Sequence, residues 1–449
     1  MKTKQSTSFR YRILSAAVVL ALVNYVDRGA LSYAAQRITA EYDFSKEQWG
    51  FILGCFGYGY MVGALFGGGL ADRLGTRKIW MVAGVAWSVF EIATAWAGQI
   101  GLALMGGSAI AGFATIRILF GISEGPAYSL INKTVANGSL GRERGFMVSV
   151  GLLSTPLGAL LTAPIAVGLL RLTGDWRIMF GVLGVAGIVM LLLFLRIFTD
   201  LPESNPRVSD TELHAIRTSR VRAVSSGGNE DAAAEPLPWW HFFKSKTLVL
   251  NSIAYFSYMY VNFLLLTWTP KYLQDQFGYS LSSLWYVGMI PWTGSCITVL
   301  LGGRISDWLL KRTGSLRIAR SGFATTCLLA TSLCFVSVSM AHTVVATIAL
   351  MTLANALNSL PNCVYWAVIV DTAPLNRTGT FSGLTHFFAN TASVLAPTLT
   401  GYLTVEYGYS SMFVAAAVTT AIGMGAMSLV RPGLLQGGAP NAGGIEPQT

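Results

Sequence analysis

Gly68-Gly69-Leu70-Ala71-Asp72-Arg73-Leu74-Gly75 ends one long apolar run of this 449-residue chain, and Gly303-Arg304-Ile305-Ser306-Asp307-Trp308 ends another. In both, a glycine stands four residues before an aspartate, and basic residues follow. The first stretch closes the second apolar run and the other closes the eighth, so the sequence repeats itself after six runs. Working outward, twelve candidate spans fall at about 12–38, 48–71, 79–98, 105–131, 145–170, 176–198, 247–273, 281–308, 318–340, 343–370, 378–404 and 410–430. Runs of about 20 apolar residues suit membrane-crossing helices and exceed the strands of a membrane barrel. Only 12% of the residues are charged and 53% are hydrophobic, against about 25% charged in soluble chains. The predicted fold is an all-α membrane protein of twelve transmembrane helices in two pseudo-symmetric six-helix halves.

The predicted organisation is an N-terminal half at 1–198, a linker at 199–246, a C-terminal half at 247–431 and a disordered tail at 432–449. The linker contains the one long polar segment, Asp200 to Pro238. Two similar halves are the mark of transporters that rock one half against the other. Lysine and arginine set the orientation: 24 fall on the side carrying both termini and five on the other. Both termini are therefore expected in the cytoplasm, in an inner-membrane protein. The same asymmetry accounts for the net charge of +10 without nucleic acid. The first run is too long for a cleaved signal peptide and lacks a small-residue cleavage site. Cys55, Cys296, Cys327, Cys334 and Cys363 all fall within spans and have no metal-ligand spacing, so no metal is expected. Nucleotide loops and nucleophile–base pairs are not apparent, which argues against an enzyme. The glycine-rich Gly63–Gly69 stretch lies in an apolar helix and reads as helix packing.

Charges inside the spans carry the functional signal. Asn24-Tyr25-Val26-Asp27-Arg28 puts an acid and an arginine near the middle of the first span. A charge at that depth costs at least about 2.5–3.5 kcal/mol and usually faces a cavity or a partner. In the fourth span Arg117 and Glu124 are seven residues apart and share a helix face, with Glu124 about 10 Å nearer the cytoplasm at 1.5 Å per residue. Two structural ion pairs are one explanation, but buried pairs stabilise less than apolar packing does. A dry carboxyl takes up a proton readily, and an arginine nearby opposes this or binds an anion instead. Asp27 and Glu124 are thus the proton-site candidates. Arg28 is the first choice for the substrate anion, and Arg117 for pairing with Glu124 or sharing the anion. Glu91, in the third span, reads as lying near enough to the outer surface to be hydrated, the alternative being a third protonatable site. Asp371 reads as a cap or loop contact.

The loop at 68–78 resembles the G-x-L-A-D-R-x-G-R-K loop of the major facilitator superfamily, with Thr76 shifting Arg77-Lys78 by one position. That resemblance implies a cytoplasmic gate latched by Asp72 and Arg73, with Asp307 at the corresponding place in the second half. Asn24–Arg28, Arg117-Ile118-Leu119-Phe120-Gly121-Ile122-Ser123-Glu124-Gly125-Pro126-Ala127, Asn132-Lys133 and Arg142-Glu143-Arg144-Gly145 are similar to the anion:cation symporter family. This implies proton-coupled uptake of an organic anion and maps proton roles onto Asp27 and Glu124. The sequence departs from sugar-acid members where Tyr60 is followed by Ala64 and Phe66, and where Thr155 replaces an amide. It also lacks the seventh-span arginine of vesicular glutamate carriers.

The second half offers neutral groups: Asn262, Trp268, Trp285, Tyr286, Trp292, Asn355, Asn358, Asn362, Trp366, His386 and Asn390. Asparagines in spans often only bond helix to helix, and aromatics often sit at the interface. Asn262, Asn362 and Trp366 are nonetheless candidate substrate contacts. Asn390 and Tyr60 gain from the family pattern, in which these positions face the substrate. The expected protein is a monomeric, proton-coupled symporter importing a small organic anion, a sugar acid or other monocarboxylate, with protons as coupling ion and no cofactor. An exchanger or exporter of the same fold, and a non-transporting sensor, are the alternatives.

Overall fold

The computed structural model describes residues 9–138, 144–226, 238–373 and 378–433. Every regular element among them is a helix. Eight of the twelve passes contain one main helix: Phe9–Tyr33, Lys46–Leu74, Thr76–Thr94, Arg144–Thr173, Trp176–Ile197, Lys246–Phe277, Phe323–Ser339 and Ser410–Ser428. The fourth, eighth, tenth and eleventh are broken, as Ala109–Glu124 with Ala127–Gly138, Leu281–Val287 with Ile290–Thr313, Val344–Ser359 with Asn362–Thr372, and Thr378–Asn390 with Ala392–Tyr407. Pro126, Pro291 and Pro361 stand at three of these breaks, where the missing N–H and the ring interrupt the ladder.

Local chemistry fixes several ends. Ser45 and Gln48 form a capping box at the start of the second span, which satisfies amides that have no partner inside the helix. Asp175 caps the sixth span by accepting from the Arg177 N–H at 2.9 Å. Gly278 and Gly314 end the seventh and eighth in the left-handed region, at φ of 66° and 65°, which glycine enters without a Cβ penalty.

Two boundaries differ from the sequence-based expectation. The third span stops at Thr94, not near 98, and the chain bends by 78° into a short helix, Ala97–Leu104. The fourth starts at Ala109, where Ser108 Oγ accepts from the Ala111 N–H at 3.2 Å, and its second segment runs on to Gly138. The polar linker also holds a helix, Asp210–Ser226. Its buried Glu212 accepts from the backbone N–H groups of Phe9 and Arg10 at 3.2 and 3.1 Å and pairs with the Arg10 side chain at 2.9 Å. A carboxylate thus sits on the positive end of the first span. The expected disordered tail lies almost wholly outside the described residues.

The halves meet along two related seams. The second span packs on the eleventh, and the fifth packs on the eighth. At the first seam the backbones are in contact: a Cβ on Gly54 would lie 2.2 Å from Thr398 Oγ1 and 3.0 Å from the Val394 carbonyl. This seam lies toward the end of the molecule poor in basic residues. Across that same end, Gln274 donates to Gln36 at 3.0 Å and the Lys46 ammonium sits 4.4 Å over the Tyr409 ring. Arg177 pairs there with Glu41, which also accepts from Trp176 Nε1 at 3.0 Å. The hydrogen bond from Arg177 is the main reason that the Glu41 carboxyl titrates below its ordinary range.

Candidate functional site

Between the halves lies a cavity of about 450 Å³. The first half contributes Tyr25, Tyr60, Tyr128 and Thr155, and the second contributes Tyr255, Tyr258, Asn262, Trp292, Asn362, Trp366, His386 and Asn390. Its wall continues through Leu65, Val370, Gly379 and Ser382, which lie within a few turns of Arg73, Asp371 and Arg377 in sequence. The cavity therefore opens toward the basic face, while the opposite end is closed by the seams described above. No Asp, Glu, Lys or Arg lines it among the described residues.

Tyr60, Asn262, Asn362, Trp366 and Asn390 all reach this wall. The amide NH₂ groups of Asn262 and Asn390 donate to carbonyls one turn back in their own helices, at 2.9 and 2.8 Å. Their side-chain oxygens are what they can offer a ligand. Tyr255 stacks on Tyr365 at 5.1 Å and meets Trp366 edge-on at 5.8 Å, so one side of the cavity is a continuous aromatic surface. The ring nitrogens of His386 have no hydrogen-bond partner among the described residues. Tyr25, Tyr128 and Tyr255 were not singled out from the sequence. Tyr25 could have been, because it lies one turn before Arg28 and on the same side of the helix.

The charged residues lie behind this wall. Arg28 is only 3% exposed. Its Nε and Nη2 both donate to Glu124 Oε2, at 3.2 and 3.1 Å, and Nη2 also donates to Asn24 Oδ1 at 3.3 Å. The rings of Tyr25, Phe56 and Tyr60 surround the guanidinium with centroids 4.6, 4.6 and 4.7 Å from Cζ. Such contacts are favourable when desolvated. Two of those rings are cavity wall, so one ring's thickness separates Arg28 from the cavity.

This arrangement corrects two expectations. Glu124 pairs with Arg28 and not with Arg117: seven-residue spacing put Arg117 and Glu124 on one face, but the first span supplies the nearer cation. Arg117 forms no ion pair with a described residue. Its Cζ lies 5.2 Å from the Phe56 ring and 5.0 Å from the Phe120 ring, and its Nε and Nη1 have no hydrogen-bond partner among the described residues. Glu91, in turn, is not near a hydrated surface. It is 0% exposed, as is Asp27, and none of their four carboxyl oxygens accepts a hydrogen bond from a described residue.

Of the expected gate residues, the side chain of Asp72 lies outside the described residues, and Arg73 is exposed. Asp307 accepts from Arg320 Nη1 at 3.2 Å, and the same arginine reaches Asp371 Oδ2 at 3.0 Å and Ser306 Oγ at 2.5 Å. These contacts tie the eighth, ninth and tenth spans together within the second half. Asp371 is thus an ion-pair partner where the sequence suggested a cap or loop contact. Arg320, the centre of this network, looked in sequence like one more basic loop residue.

The family described as Major Facilitator Superfamily matches residues 17–397. The chain is 31% identical to a hexuronate transporter of Bacillus subtilis over 92% of each sequence. It is 28% identical to a probable sulfoacetate transporter of Cupriavidus necator, over 96% of this chain and 95% of that one. A probable galactarate/D-glucarate transporter of Escherichia coli is 29% identical over 90% of each. Among solved structures, the proton:xylose symporter XylE bound to 6-bromo-6-deoxy-D-glucose superposes with a TM-score of 0.72, covering 95% of this chain and 97% of that one at 17% identity. That last likeness bears on the fold alone.

Proposed function

The chain belongs to the major facilitator superfamily, with relatives matching its anion:cation symporter branch, and from that premise we propose that it is a proton-coupled symporter importing a small organic anion by alternating access. The protein is a multi-pass membrane transporter and not an enzyme, and its relatives carry organic anions. Proton coupling and anion binding are read from one observation. Arg28 is held by Glu124 directly behind Tyr25 and Tyr60, at the edge of a cavity open to the basic face.

The chemistry follows from that contact. While Glu124 is ionised, both donors of Arg28 that it engages are occupied by one oxygen. A proton on Glu124 removes the charge that holds them. The guanidinium can then move between the tyrosine rings and take a carboxylate or sulfonate, the groups it binds best. Proton uptake and anion binding thereby favour each other, which is the coupling symport needs. Asp27 is the second proton seat. The basic face is assigned to the cytoplasm by the bias of lysine and arginine, with both termini inside the inner membrane. On this assignment the described conformation follows release of both substrates inward, with Glu124 back on Arg28. The ring-lined body of the cavity, with asparagine oxygens at its edge, suits a monocarboxylate with a polar or planar body, sugar acids included. Protons are the coupling ion, and the chemistry needs no cofactor.

The test is transport by purified protein in liposomes holding a pH-sensitive dye, with a panel of sugar acids, aromatic acids, sulfonates and small carboxylates. Internal acidification with one compound is expected. Asp27→Asn should abolish proton-driven accumulation, because that seat no longer titrates. Glu124→Gln should lose accumulation but keep exchange of labelled substrate, since Arg28 is then permanently released. Undiminished accumulation in both variants sinks the assignment of proton sites. Specific binding without acidification points to the exchanger, or to the sensor if labelled ligand does not exchange either.

A further inference from the structure

Five charged side chains are buried in the interior of the first half: the carboxyls of Asp27, Glu91 and Glu124 and the guanidiniums of Arg28 and Arg117. Fully ionised, this group carries one uncompensated negative charge. An isolated charge held away from water is very costly, and such a site takes up a proton instead. The seat of that proton can be argued from the contacts. Glu124 is paired with Arg28 at 3.1 Å, which leaves one guanidinium, Arg117, for two carboxyls, Asp27 and Glu91. The Nε and Nη1 of Arg117 are without a hydrogen-bond partner among the described residues. No described residue donates a hydrogen bond to either carboxyl, so neither is held as Glu124 is.

We propose that Glu91 is a working member of the transport site: it balances Arg117 and shares one resident proton with Asp27, so that the third span takes part in proton handling. The inference rests on the proton-coupled reading above. It makes Glu91 a positioning residue, acting on the proton of Asp27 through charge. Other ionisable groups around the third span are few. The fourth span contributes Arg117 and Glu124, the first Asp27 and Arg28, and the second Cys55. The sixth carries its only ionisable groups, Arg177 and Arg196, at its two ends, and Lys133 beyond the break in the fourth donates to the Ala71 carbonyl at 2.7 Å. The third span's own Arg77 and Lys78 lie more than three turns from Glu91 in sequence. Glu124, the other carboxyl in reach of Arg117, is already held by Arg28 at 3.1 Å.

The test is the variant Glu91→Gln, which has the shape of a protonated glutamate but cannot ionise. If Glu91 were only a permanently neutral packing group, the swap would be silent. On the proposal, Glu91→Gln leaves Asp27 and Glu124 facing two guanidiniums, a balanced set with no proton. Loading Asp27 then creates a net positive charge. The pH profile of uptake should move to the acid side by about one unit or more, the usual size of such a charge effect, while exchange at acid pH persists. Glu91→Asp should restore the wild-type profile. Infrared titration of the purified protein, following carboxyl bands against pH, reads the same change without any transport. An unmoved profile together with an unmoved infrared titration, in protein that elutes as wild type, overturns the proposal. Wild-type protein that binds anions but moves no protons would instead break the symport reading, while the infrared difference could still appear. The two failures are therefore distinguishable.

Discussion

A guanidinium that gives two donors to one carboxylate oxygen is held by geometry as well as charge. Arg28 does this to Glu124 Oε2, while Glu124 Oε1 receives nothing from a described residue. The contact is therefore not the parallel fork that makes arginine–carboxylate pairs strongest, and a substrate carboxylate that accepted such a fork could compete for Arg28. Arg28→Lys tests this. Lysine keeps the charge but has no planar fork and lacks arginine's affinity for ring faces, and three rings line this site. Anion affinity should fall by about tenfold or more, equivalent to about 1.4 kcal/mol, as measured by ligand-induced thermal shift in detergent. Wild-type affinity would argue against a forked contact in the bound state. The residues of this cluster were readable one at a time, because ionisable side chains in apolar spans stand out. Their pairing was not. Spacing along one helix cannot reveal that the first span brings its own cation closer to Glu124 than Arg117 comes. Glu91 was misjudged for a related reason: position along a span gives depth, but not which way the residue faces or what packs over it.

At the level of elements, the breaks matter more than the spans. Apolar period and length announced twelve passes, since each needs about 20 residues to cross. The third and fourth were misjudged at their ends because the chain turns by 78° after Thr94 without leaving its apolar composition, so hydropathy carried no signal there. The Gly63–Gly69 stretch was read as helix packing, and in the structure Gly63 and Gly67 abut Ile122 and Pro126 of the fourth span. Gly54 lets the second span touch the eleventh across the end poor in basic residues, with no room for a side chain. Gly54→Val should therefore prevent this seam from closing, since backbone and Thr398 would have to separate. The variant is expected to lose transport and to expose a cysteine placed at Ser393, now buried, to a thiol reagent applied from the outer face. Labelling as slow as in the Gly54 background would mean that the seam tolerates the change and does not gate the cavity.

For the whole molecule, the two seams and the cavity describe one state of a two-state device. The halves are locked at one end through the second and eleventh spans and the fifth and eighth spans, and the open cavity lies toward the other. Alternating access requires that the open end close when substrate and proton are bound. Of the aspartates expected to latch that end, Asp307 is engaged by Arg320 within its own half, and the side chain of Asp72 lies outside the described residues. Ser382, on the cavity wall near the basic face, can report the change. A cysteine at Ser382 should react with a membrane-impermeant thiol reagent in inside-out vesicles and be protected in right-side-out ones, if the basic face is cytoplasmic. Adding the transported anion at acid pH should slow the reaction several-fold, because protonated Glu124 releases Arg28 to the substrate and the halves close over it. Equal reaction from both faces would contradict the closed outer seams. Protection by substrate that did not depend on pH would separate anion binding from the proton, and would leave Glu124 as a structural partner of Arg28 with no role in coupling.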